Sequence, residues 1–88
     1  MSIKSAIFPI TGAQIRAARA LIRWSAEDLA ARARLGVATI RRAEAHDGPP
    51  PMTVANAQTI RRALESAGVE FIAANGGGAG VRLKRSAD

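Results

Sequence analysis

Residues 24–44 read WSAEDLAARARLGVATIRRAE, and this stretch decides the fold. Ser25, followed three residues later by Asp28, has the form of a capping box. In that arrangement side chain and backbone at a helix start satisfy each other's free hydrogen-bonding groups. Leu29, Ala30 and Ala33 then recur at helical spacing. After Arg34-Leu35-Gly36 a second apolar phase runs through Leu35, Ile40 and Ala43. The pattern predicts two short helices, about Ala26–Ala33 and Val37–Ala45, joined by a tight turn. Ala30 is the small residue where they cross, and Thr39, Arg41 and Arg42 lie on the outer face of the second helix.

Such a unit has the form of a helix-turn-helix. With the preceding TGAQIRAARALIRW, residues 12–48 resemble the lambda-repressor/Cro-like (XRE) helix-turn-helix family in apolar positions, cap, turn and closing glutamate. The tail ALESAGVEFIAANGGGAGVRLK also resembles a compact bacterial subgroup that ends in a glycine-rich hairpin. The resemblance implies an all-α, lambda-repressor-like domain of four main helices with a short C-terminal β-hairpin. It implies that Arg19, on the inward face of the first helix, pairs with Glu44, since a charge on such a face persists only if paired and hydrogen-bonded.

The same correspondence puts Gly36 at the cap of the second helix of the motif. Val37, Ala38, Arg41 and Arg42 are then expected to face the major groove. Arginine binds guanine O6 and N7 bidentately, and alanine or valine can touch a thymine methyl. Ser25, Ala26, Thr39, Arg23 and His46 are assigned to phosphates, which position a protein without specifying sequence. The bland alternatives are a solvated cationic face for Arg41 and Arg42 and a solvated loop position for His46. This chain departs from the family's pattern twice. Ala26 stands where many members have a DNA-contacting glutamine, and Arg34 where many have a glycine in left-handed conformation.

The flanks extend the reading. Residues 1–11 form an N-terminal arm with Pro9 and a possible short strand at Ala6 to Phe8. Thr11 can cap a first helix running to about Arg23, with Ile15, Ala18, Arg19 and Ile22 inward. Pro49, Pro50 and Pro51 stop the third helix. Thr53 caps a fourth, to about Ala67, with Gly68 as its stop. Val54, Ala57, Ile60, Leu64 and Ala67 form its apolar face, while Gln58, Arg61, Arg62 and Glu65 look outward. Beyond Gly68 the period changes to two, so residues 69–84 read as a hairpin around Asn75-Gly76-Gly77-Gly78, and 85–88 as a tail. The expected core is Ile15, Ala18, Ile22, Leu29, Ala30, Ala33, Leu35, Ile40, Val54, Ile60 and Leu64.

Composition agrees with a small nucleic-acid binder. The chain has 88 residues and a net charge of +6, which points to a polyanionic partner. It has no cysteine, so thiolate chemistry and disulfides are excluded. One histidine without a nucleophile or carboxylate cluster near it predicts neither catalysis nor metal binding, and no cofactor is expected. The glycines lead into a strand rather than a helix, so they read as a turn, not a phosphate loop. No apolar run approaches the ~20 residues of a bilayer span, and no secretory signal is recognisable, so cytoplasmic residence is the default.

The function expected is a sequence-specific double-stranded-DNA-binding transcriptional regulator, without enzymatic activity, acting as a repressor or autoregulator. Its partner would be an inverted-repeat operator read by a homodimer. Val69, Phe71, Ile72, Val81 and Leu83 are the candidate dimer interface, with packing of the hairpin on its own helix as the alternative. A rival reading is an antitoxin or other protein-interaction module whose tail pairs its strand edges with a toxin. A nonspecific nucleoid or RNA binder is a third, though the chain's three aromatics offer few stacking platforms.

Overall fold

The computed structural model describes residues 9–84; the expected strand at Ala6 to Phe8 and the tail at 85–88 lie outside them. Four helices precede one hairpin: α1 Gly12–Ile22, α2 Ala26–Ala33, α3 Val37–Glu44, α4 Val54–Ser66, β1 Val69–Ile72 and β2 Gly80–Leu83. The strands pair antiparallel with Val69 opposite Leu83 and Phe71 opposite Val81. The architecture is mostly α, and among the described residues no helix is long and apolar enough to cross a membrane.

Local chemistry starts each helix. The Thr11 hydroxyl accepts the Gln14 N–H, and the Gln14 side chain accepts the Thr11 N–H, closing a capping box on α1. Ser25 and Asp28 close the predicted one on α2. Thr53 accepts from the Asn56 N–H at the start of α4. Arg23 and Arg34 end α1 and α2 in the left-handed region, at φ 59° and 58°. A side chain in that conformation costs roughly 1–2 kcal/mol. Gly36 stays extended at φ −69°, so the turn takes its sharp bend at Arg34 and not at the glycine.

The core is built from Ile10, Ile15, Ala18, Leu29, Ile40, Ala43, Ile60, Leu64, Val69 and Phe71, together with Ala26 and Ala30. Most of the expected core is present, with Ile22 and Leu35 only half-buried. Val54 is a correction. It occupies the first residue of α4 and is 77% exposed, because the face that packs inward is set further along the helix, by Ile60 and Leu64. Arg61 is the opposite correction: expected to look outward, it is 8% exposed. It is held by Glu65 at 2.9 Å, with its guanidinium 5.6 Å from the centre of the Phe71 ring.

The hairpin packs within the chain, the alternative to the expected dimer interface. Val69 is fully buried and Phe71 nearly so, and Val81 packs against the same core. β1 lies on α1 and α4, and β2 on α1, so the chain covers the hairpin's apolar face itself. Ile72 is half-buried and only Leu83, at 51%, stays open. Buried Gln14 makes the attachment: its Nε2 donates to the Ile72 and Gly80 carbonyls at 3.2 and 2.9 Å. One side chain thus caps α1 and fastens the hairpin to it.

Gly12 brings α1 close to the end of α3. A Cβ there would stand 1.8 Å from the His46 carbonyl oxygen and 2.4 Å from that of Ala43. Without a side chain at this point, the Gly12 N–H reaches the Gly48 carbonyl at 2.9 Å. This contact seats α1 across the C-terminus of α3.

Candidate nucleic-acid interface

The orientation of α3 is set by its only acid. Glu44 faces α1, where Arg19 holds it in a two-point contact: Nε to Oε2 at 2.6 Å and Nη2 to Oε1 at 2.8 Å. The third donor, Nη1, reaches the Trp24 carbonyl at 2.8 Å. Paired donors in parallel make this geometry both strong and directional. The pair is largely enclosed, with side-chain exposures of 22% for Arg19 and 9% for Glu44. The Glu44 hydrogen bond raises the Arg19 pKa above its ordinary value. The expected pairing is therefore present, and it ties α1, the link into α2 and α3 together.

Arg16 adds a second clamp. It donates to the Glu44 carbonyl and to the Asp47 carboxylate, the latter at 2.7 Å. A cation at the carbonyl end of a helix also meets the negative end of its dipole. Sequence alone carries no signal for it, since the partners stand 28 and 31 residues away.

With Glu44 turned in, the opposite face of α3 presents Ala38, Arg41 and Arg42, all exposed. Val37, expected beside them, is half-buried and packs against the core. Arg41 lies on the α2 side, where it pairs with Glu27. Arg42 lies on the α4 side, in a groove shared with Thr39, His46, Thr53 and Asn56, and it contacts the Thr39 hydroxyl at 3.5 Å. The two neighbouring arginines thus point to different flanks of one exposed face, between the N-termini of α2 and α4.

The residues assigned to phosphates are more scattered in kind. The Ser25 hydroxyl is engaged as the α2 cap. Ala26 is a correction at the side-chain level: it is buried in the core, leaving only its amide at the helix start to meet an anion. Thr39 is half-buried, whereas Arg23 and His46 are exposed. Arg32 lies over the Trp24 ring at 4.9 Å, a stacking that the sequence reading had not anticipated.

Glu27 is the residue whose importance sequence reasoning missed. It is the second residue of α2, and its carboxyl is held below the ordinary carboxylate range. The backbone N–H at its own position is the first cause, and the Arg41 hydrogen bond the second. An acid in the first turn of a helix is common for its own reasons, so nothing local marked it as the partner of Arg41. Among the described residues no group of three or more His, Cys, Asp or Glu is arranged to hold a metal ion. No protein-family model matches the chain, and a search of curated proteins finds no similar one.

Proposed function

We propose that this chain is a sequence-specific double-stranded-DNA-binding transcriptional regulator of the lambda-repressor-like type, without enzymatic activity. In this reading α2, the turn at Arg34-Leu35-Gly36 and α3 are the helix-turn-helix, and α3 enters the major groove. The observation that carries the proposal is the composition of α3's outer face. The helix's only acid is turned inward against Arg19, leaving Ala38, Arg41 and Arg42 exposed with no acid of their own helix beside them. The left-handed conformation of Arg34 supports the reading further, because it is the conformation the family gives to the glycine of its turn.

Arg41 and Arg42 are the base readers in this account, with Ala38 against a thymine methyl. Arg23, His46 and the amide of Ala26 serve as phosphate contacts that fix register. One such helix reads few base pairs, so the proposal includes two copies on an inverted repeat with half-sites about one turn apart. Blocking polymerase needs only occupancy, which makes repression the simplest outcome.

Selection of duplexes from a random pool tests this. The expected product is a palindromic consensus whose affinity falls steeply with salt. Binding that is equal for all duplexes would replace this reading with a nonspecific binder.

A further inference from the structure

Arg41 and Glu27 meet where α2 and α3 come together, at the edge of the outer face of α3. Nη2 of Arg41 donates to Oε2 of Glu27 at 2.5 Å, and the side chains are 59% and 62% exposed. A pair this open adds little to fold stability, so its geometry calls for another consequence.

A guanidinium carries five N–H donors in a fixed fork. The contact with Glu27 uses one, and bidentate recognition of guanine O6 and N7 uses two. The pair therefore leaves free the donors that reading requires, while it restricts the rotamers of a long side chain. Arg42, by contrast, makes a 3.5 Å contact with Thr39 on its own helix and, among the described residues, no ion pair. Building on the DNA reading above, we infer that Glu27 is the positioning residue of Arg41 and that the two recognise guanine as one unit.

The carboxylate acts in two ways. Holding Arg41 in advance reduces the side-chain freedom lost on binding. Its negative charge also disfavours capture of the same arginine by phosphates, which are present on every sequence. Glu27 thus trades nonspecific affinity for base preference.

The test compares wild type, Glu27→Ala, Arg41→Ala and the double variant. Each competes for the duplex selected by wild type, for single-base-pair variants of it, and for random-sequence duplex, with thermal melting alongside. Glu27→Ala is expected to lower the guanine preference at one position on the order of 3- to 10-fold, the equivalent of one side chain's lost ordering. It should raise affinity for random duplex, add no change in base preference once Arg41 is alanine, and lower melting by no more than the small loss expected when an acid is removed from a helix's first turn. A rise in affinity for all duplexes by one common factor, with guanine preference intact, overturns the inference and leaves the DNA reading standing. Wild type selecting no consensus at all overturns the DNA reading and this inference with it.

Discussion

The α2–turn–α3 unit and the C-terminal hairpin are held in place by opposite kinds of contact. The first is specified mostly by neighbours in sequence: the Ser25–Asp28 box, the bend at Arg34 and apolar residues at helical spacing. The second is specified at long range. Gln14 reaches carbonyls 58 and 66 residues away, and Val69 and Phe71 are buried against α1 and α4. A hairpin of two strands is marginal alone in water, and here the helices supply the missing layer. The comparison teaches that the hairpin is part of the domain's core rather than an accessory added to a finished helical unit.

The largest effect should come from breaking the hairpin's anchor. Phe71→Ala is expected to cost about 3–5 kcal/mol, as for other buried aromatics, measured by urea unfolding of the whole chain. Truncation after Gly68, which on the expectation of a dimerising hairpin would leave a folded or partly folded monomer, should instead leave a chain with little cooperative unfolding. A truncated chain that melts like the full one would remove the hairpin from the core.

Next comes the tie that orients α3. Arg19→Met strands Glu44 and should cost on the order of 3 kcal/mol, the lower end for breaking a buried pair, since Arg19 keeps 22% of its side chain exposed. Arg19→Met combined with Glu44→Leu should recover much of the loss. Small and additive effects in this cycle would mean two independent surface charges.

Gln14→Leu removes the donor to the Ile72 and Gly80 carbonyls and the acceptor of the Thr11 amide. A loss of about 2 kcal/mol is expected from losing these hydrogen bonds together. Hydrogen exchange should quicken most in the hairpin, and faster exchange confined to α1 would show that Gln14 acts only as a cap. The smallest effect has the opposite sign: Arg34→Gly should stabilise by ~1 kcal/mol, relieving the left-handed conformation. No gain in melting temperature would mean that the turn is not strained there.

Much of this fold was legible because it rests on local chemistry. Caps at Thr11, Ser25 and Thr53, the stop at Gly68 and the change of period beyond it each act within a few residues. The inward pairing of Arg19 with Glu44 was foreseen from the family resemblance. What could not be read was decided by tertiary contacts with no local trace. Arg61 resembles a solvent-facing cation in sequence yet lies over Phe71. Val54 follows the helical period yet falls on the first residue of α4, outside the packed part of the helix. In the candidate site, Ala38, Arg41 and Arg42 are exposed as the family correspondence implied, Val37 is half-buried contrary to it, and the Glu27–Arg41 pair depends on how α2 and α3 meet.

The most direct test of the central claim is the base preference of an Arg42→Ala variant on the duplex selected by wild type, beside Arg23→Ala as the control. If the outer face of α3 reads the major groove, Arg42→Ala costs ~1–3 kcal/mol and relaxes preference at one base position. Arg23→Ala then weakens all sequences about equally, or changes little. If alanine at Arg42, and likewise at Arg41, leaves both consensus and affinity unchanged, α3 does not read DNA through this face.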